Sequence, residues 1–433
     1  MRIDFSVDRR ILNIAVPSIV SNVTVPLLGL CDVAIMGHVG GAAHIGAVTV
    51  GSMVFNVMYW LFAFLRMGTS GLTAQARGAR QLDLTATLLR RSLLVALTIA
   101  LAVIVMQVPL GMLAFWLMRP TDDVLHLATP YYYICIWGAP ATLGLYTLTG
   151  WFIGMQNTRI PMMIAIGQNV VNIVASLLLV VVAGMGVKGV AMGTIVAQWT
   201  AFVAALWLLN RYYGRLLRRY VSSLNDLLKG LGGFFRVNSF IFLRTLCLVV
   251  VNLYFTSAGA SMGALVLAAN ALLMQLFMLF SYVMDGVAYA GEALAGRYYG
   301  ARDNTMLRAT VRHLFGWGFC VMLLFTAVYG VGGNAILSIL TTDEAVVHTA
   351  LSFYGWVLLV PLLGMAAFVW DGVCIGLTAT RTMFMSVFLA AVVFFSIVVA
   401  GGLRSNHALW AAFDAYLAVR SLFLSLKWRF TRF

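Results

Sequence analysis

This chain is a succession of long apolar runs separated by short polar links, and that pattern limits what it can fold into more than anything else in the sequence. A helix needs about 20 mostly apolar residues to cross the core of a bilayer, where the backbone must satisfy its own hydrogen bonds. Runs of that length lie near 11–36, 45–76, 88–117, 128–155, 160–184 and 189–210. They recur near 233–256, 264–296, 309–340, 347–376, 382–402 and 408–426. The pattern predicts an all-α polytopic membrane protein with twelve transmembrane helices. Composition agrees, since 62% of the 433 residues are hydrophobic and only 10% charged, against about 25% charged in a soluble domain. A soluble multidomain enzyme and a disordered chain are thereby excluded. The long unbroken runs also argue against a β-barrel, whose strands alternate in short segments. Residues 1–10 are basic, but the run behind them is too long and too broken by proline for a cleaved signal peptide, so it reads as the first span.

The net charge is +14. In a soluble protein that would suggest nucleic acid; here the cations sit between apolar runs and report topology instead. Arg77, Arg80, Arg90 and Arg91 flank the second link, and Arg211, Arg215, Arg218, Arg219 and Lys229 fill the sixth. Arg297, Arg302, Arg308 and Arg312 flank the eighth, and Arg420, Lys427, Arg429 and Arg432 mark the carboxyl end. The opposite loops carry Arg119, Lys188 and Arg404. The positive-inside rule therefore predicts that both termini and the central link are cytoplasmic. The five cysteines lie singly, without CxxC spacing, so neither a metal cluster nor a disulfide framework is expected.

The halves repeat. Gly150-Trp151-Phe152-Ile153-Gly154 with Thr158-Arg159 matches Gly372-Val373-Cys374-Ile375-Gly376 with Thr380-Arg381 at a shift of 222, and Gly78-Ala79-Arg80 matches Gly300-Ala301-Arg302 likewise. Upstream, Gly46-Ala47-Val48 pairs with Gly263-Ala264-Leu265 at 217, which predicts about one extra turn in the eighth span. Six spans per repeat give both halves the same orientation. The expected architecture is two six-helix lobes, 1–210 and 232–433, joined by a cytoplasmic linker at 211–231. A pseudo-two-fold axis along the membrane normal would relate them, an arrangement suited to alternating access.

Charges inside a bilayer are costly and mark function by default. Asp32, Asp285, Glu292, Asp371 and Asp414 fall inside predicted spans, as do Arg66 and Arg244. Asp32 lies late in the first span with no cation near it in sequence, so it is a candidate to take up a proton on the outer side and release it inward. Its alternative is a carboxylate bonded to backbone amides or facing bulk water. Pro17 and Pro26 precede it on the same span and predict a kink that could respond to protonation or stay static. Asn169, Asn172 and Ser176 in the fifth span share one helix face, with Gln168 beside them and Thr194 following in the sixth; such a stripe can be interhelical glue or part of a cation-responsive network. Asp285 and Glu292 lie two turns apart in the eighth span, and Arg244 could neutralise either Asp285 or Asp371. By the repeat, Asp285 aligns near Met67 and Asp371 with Thr149, so these acids are not duplicated.

Histidines 38, 44, 126, 348 and 407 fall near outer loops, and a relay from His38 to Asp32 is conceivable, though solvated loop histidines are the commoner case. No nucleotide fingerprint, HExxH or GxSxG motif appears. Energy must then come from an ion gradient or the substrate's own, and no catalytic pair or metal set can be assembled for an enzyme. Met and aromatic residues are abundant enough to line a cavity for apolar or cationic shapes, though most must pack or face lipid.

Twelve spans in two halves, Pro17 and Asp32 in the first span and Asn172 in the fifth resemble the multidrug and toxic compound extrusion (MATE) transporters. The run Met284-Asp285-Gly286-Val287-Ala288-Tyr289-Ala290-Gly291-Glu292, with Asp371-Gly372, resembles their DinF-type branch. The resemblance implies an inner-membrane antiporter exporting amphipathic, often cationic compounds against inward proton or sodium flow. It places Asp32, Asn172 and Thr194 in an amino-lobe cation-linked network. Many relatives carry an aspartate four residues after the position of Asn172, where this chain has Ser176. One carboxylate with neutral oxygens favours a proton over sodium, because a metal needs several oxygen ligands. The expected protein is a monomeric, proton-coupled efflux antiporter without cofactor, metal or nucleic-acid partner. Sodium coupling through Asp371 or Asp285 and a lipid-linked precursor flippase using Arg66 and Arg244 are the alternatives.

Overall fold

The computed structural model describes residues 5–39, 41–401 and 405–430. Arg404 and Arg432, counted above in the charge bias, lie outside them. Helix α1 is Phe5–Val39, followed by α2 Ala42–Leu61, α3 Phe64–Gly78, α4 Leu82–Val105, α5 Gln107–Met118, α6 Asp122–Cys135 and α7 Ala139–Gly154. Then come α8 Arg159–Leu177, α9 Gly186–Arg219, the short α10 Leu224–Lys229, α11 Leu231–Ser261, α12 Ala264–Gly300, α13 Asn304–Leu340, α14 Glu344–Gly376, α15 Thr380–Ala400 and α16 Asn406–Phe430. Among the described residues there is no strand, and ten helices or helix pairs are long and apolar enough to cross a membrane. The protein is a multi-pass helical membrane protein.

Each predicted apolar run is realised as one rod, but the amino half breaks three of its rods where the carboxy half does not. A turn at Phe62–Ala63 separates α2 from α3, Met106 separates α4 from α5, and a 3-10 turn at Ile136–Gly138 separates α6 from α7. The counterparts α12, α13 and α14 run unbroken. At Leu178–Val182 the chain leaves α8 in a π-helical turn.

The chain divides into two compact units: Val20–Phe235, and the described residues of Met1–Ile19 with Arg236–Phe433. The 211–231 link thus groups with the amino-terminal set, and the first turns of α1 group with the carboxy-terminal set.

Within each unit the repeat is visible in backbone detail. A Cβ on Gly150 would strike the carbonyl oxygen of Arg66, and one on Gly372 would strike that of Ala288. Gly154 and Gly376 would meet the carbonyls of Ser70 and Glu292, each at 2.7 Å. These four contacts press α7 onto α3 in one unit and α14 onto α12 in the other, backbone against backbone, as small residues allow in membrane helices. Left-handed residues recur at the same spacing, Arg80 (φ 59°) with Arg302 (φ 56°) and Gln156 (φ 56°) with Thr378 (φ 53°).

The predicted extra turn is absent. Gly41 and Gly263 are the N-caps of α2 and α12, so the spacing of 222 holds from the start of the rod. Ala42–Gly78 accommodates its residues by breaking at Phe62–Ala63 rather than by being shorter. The match at 217 was a chance Gly-Ala pair, and Asp285 stands opposite Ala63 rather than near Met67.

Candidate functional site

Asp32 sits seven residues before the end of α1 and is 2% exposed. Ser176 Oγ on α8 donates to Asp32 Oδ1 at 3.5 Å. The Thr194 hydroxyl on α9 lies near that carboxyl without bonding to it in this structure, and donates to the Val190 carbonyl oxygen at 3.0 Å. Asn172 Nδ2 on α8 donates to Thr194 Oγ1 at 3.3 Å. A hydroxyl has one proton, so Thr194 can serve Val190 or Asp32 at any moment, with Asn172 holding its oxygen in place.

The sequence builds this site by removing side chains. A Cβ on Gly193 would lie 2.7 Å from the Ser176 nitrogen and 2.9 Å from its Cα. Only glycine lets α9 approach α8 closely enough to set Thr194 beside Ser176. Two turns away, Asn169 Nδ2 donates to the Thr24 carbonyl oxygen at 2.8 Å, fastening α8 to α1. The polar stripe of the fifth span therefore has all three members engaged with neighbouring helices: Asn169 holds α1 in place, and Asn172 and Ser176 lead to the acid.

On α6, the Tyr131 hydroxyl lies 3.1 Å from Ser52 Oγ of α2, and Cys135 Sγ donates to the Ala191 carbonyl oxygen of α9 at 3.8 Å, three residues before Thr194. Sequence reading did not select these residues; their only signal is a Tyr and a Cys one turn apart within an apolar run. Among the described residues no lysine, arginine or histidine pairs with Asp32. His38 does not relay to it: its exposed ring donates from Nδ1 to the Ala34 carbonyl oxygen at 2.8 Å. Pro17 is buried and Pro26 half-buried, and α1 runs through both without interruption.

The ionisable residues of the other unit behave differently. Asp371 Oδ2 on α14 accepts from Arg244 of α11 and, at 2.6 Å, from Arg420 of α16. All three side chains are at most 8% exposed. Arg244 thus goes to Asp371 and not to Asp285, which is half-buried on α12 two turns before the buried Glu292. Asp285 and Glu292 both engage other groups. Arg420, read from the sequence as a cytoplasmic marker, is instead the second clamp on Asp371. A buried carboxylate locked onto two guanidiniums braces helices and leaves no oxygen pair open for an ion.

Comparison with known proteins places this geometry in context. The MatE family model matches the chain twice, over residues 17–178 and 241–400, once in each half. The chain is 35% identical to the DNA damage-inducible protein F of Escherichia coli K12, over 98% of this chain and 92% of that protein. A crystal structure of MATE in the bent conformation superposes with a TM-score of 0.85 at 18% identity, covering 98% of this chain and 95% of the other. An outward-facing multidrug resistance MATE family transporter of the MOP superfamily gives a TM-score of 0.83 at 20% identity, over 98% of this chain and 96% of the other.

Proposed function

Because this chain belongs to the MatE family of membrane transporters, we propose that it is a proton-coupled efflux antiporter in which Asp32 is the coupling acid. The cargo would be amphipathic, predominantly cationic compounds, and the setting a bacterial inner membrane with both termini cytoplasmic. The observation that carries this reading is the company Asp32 keeps. It is a nearly inaccessible carboxyl among hydroxyls and an amide, and among the described residues neither a cation locks it nor a second carboxylate joins it to share a metal.

In the proposed cycle, the ionised carboxyl attracts a cation and accepts hydrogen bonds from Ser176 and Thr194. A proton arriving from the outer side binds a carboxyl oxygen and cancels the charge that held the cargo. The Thr194 hydroxyl then swings to the Val190 carbonyl, and α1 loses part of its tie to α8 and α9. Pro17 and Pro26 each remove one donor from the ladder of α1, which lowers the cost of repacking that helix as cargo leaves. Loss of the proton toward the cytoplasm restores the anion. The chain is read as working as a monomer, since each half supplies six spans of one transporter.

Reconstituted full-length protein tests the reading, with ethidium as the probe. An imposed proton gradient alone should drive its transport. Transport driven by a sodium gradient at fixed pH, with no response to the proton gradient, would overturn proton coupling.

A further inference from the structure

Asp414 belongs to the carboxy-terminal unit and takes no part in the site around Asp32. It lies on α16 eight residues from Asn406 and is 3% exposed; neither Oδ1 nor Oδ2 has a hydrogen-bond partner among the described residues. The polar groups around it are committed elsewhere. One turn before it, Trp410 Nε1 donates to Asn270 Oδ1 at 2.9 Å, and Asn270 and Asn406 exchange amide bonds at 2.7 and 3.0 Å. One turn after it, Leu417 packs near Gly364 of α14.

The charged and titratable groups on the helices packed against α16 do not serve Asp414 either. Arg244 of α11 and Arg420 of α16 itself are both spent on Asp371 of α14. Asp285 and the buried Glu292 of α12 are engaged elsewhere, and α15 carries no ionisable residue beyond Arg381 at its start. His407, exposed at the start of α16, receives a bond at Nδ1 from Trp356 Nε1 at 3.1 Å.

A buried anion with no donor or cation is strongly disfavoured, so the neutral acid is the form that fits this environment. A neutral acid that bonds to nothing does not brace the fold as Asp371 does. What it can do is hold a proton and give it up when a donor or water reaches it. His407 lies two turns away on the same helical face, at the exposed start of α16. The repeat counterparts underline the division. Asp414 stands opposite Met192, and Asp32 stands opposite Tyr254, so each unit carries its own acid on a different element.

We propose that Asp414 is a second proton-binding site, loaded and unloaded by the carboxy-terminal unit during the transport cycle. The proposal rests on the proton-antiport reading above, and its test separates the two. Infrared difference spectra between acid and alkaline buffer, taken on the full chain in lipid vesicles, report each protonated carboxyl through its C=O stretch and need no transport.

Asp414→Asn should remove one titrating carboxyl band and leave the band that Asp32→Asn removes, while Asp414→Glu should keep a shifted band in its place. Adding ethidium should change the Asp414 band in wild type. An Asp414→Asn protein with every wild-type band, or an Asp414 band indifferent to both pH and ethidium, would overturn the proposal. Loss of the Asp414 band alongside an unaltered spectrum in Asp32→Asn would instead defeat the assignment of Asp32 and leave Asp414 standing.

Discussion

Ser176 Oγ stands 3.5 Å from Asp32 Oδ1, a hydroxyl on α8 donating to a buried carboxyl on α1. The bond is long, so its worth lies at the low end of the roughly 1.5–3 kcal/mol typical for hydrogen bonds to charged groups. Ser176→Ala removes a donor that favours the anion. The pH midpoint of proton-driven ethidium export should therefore move to more alkaline values by about one unit or less. Measuring export rates across a pH series checks the sign. A shift toward acid, or none, would mean that Ser176 does not face the ionised form.

Gly193 makes that approach possible, because its missing side chain is where the Ser176 backbone passes. Gly193→Ala should push α8 away from α9, lower thermal stability by about 1–3 kcal/mol and impair export. Gly167→Ala on the same α8 is the control, since nothing lies within 4 Å of its added Cβ. Thermal unfolding of the two variants in detergent should separate them clearly. Equal behaviour would contradict the close packing described above.

The cluster of Asp371 with Arg244 and Arg420 carries one negative charge against two positive ones. Asp371→Asn leaves two buried cations facing each other and should cost about 3–5 kcal/mol of stability. Arg420→Met leaves a one-to-one pair with Arg244 and should cost less. The double variant Asp371→Asn with Arg420→Met should recover part of the loss. Thermal unfolding of the three proteins gives the order, and a larger loss for Arg420→Met than for Asp371→Asn would refute this account of the charges.

Within the unit Val20–Phe235, α10 begins with a capping box in which Ser223 and Asp226 bond reciprocally. The Ser223 hydroxyl and backbone N–H hold the Asp226 carboxyl below its ordinary range. A depressed carboxylate stabilises the fold above its unfolded pKa and loses that contribution as pH falls through the folded value. Amide protection in 226–229, corrected for intrinsic exchange, should therefore hold at neutral pH and decline only below about pH 4. Ser223→Ala removes the hydroxyl but keeps the backbone N–H donor, so it should weaken the dependence without abolishing it. Arg91 of α4 steadies the other end of α10, donating to the carbonyl oxygens of Asp226 at 2.8 Å and Leu227 at 2.9 Å, although the sequence placed it only among the loop cations.

How far each feature could be read from the sequence depends on how local its signal is. Hydropathy alone located all twelve rods, because crossing lipid demands a length that shows in the sequence. Asp32 was visible for the same reason, as an acid where acids are rare. Asn172 and Ser176 were visible through helical period, but Gly193 was not, since a glycine among apolar residues gives no hint that a serine on another helix needs its space. Arg420 was misread because an arginine near a helix end resembles a topology marker until Asp371 is found beside it. The chance match of Gly46 with Gly263 hid the true register, which only the paired caps Gly41 and Gly263 reveal. The break at Phe62–Ala63 left no proline or charge to announce it.

The central claim is that Asp32 exchanges a proton for cargo. Ethidium-driven proton flux, followed with a pH dye in proteoliposomes, tests it most directly when wild type is compared with Asp32→Asn at equal inserted protein. Normal insertion with no ethidium-driven proton flux is expected of the variant; flux at the wild-type rate would show that Asp32 is not the coupling acid.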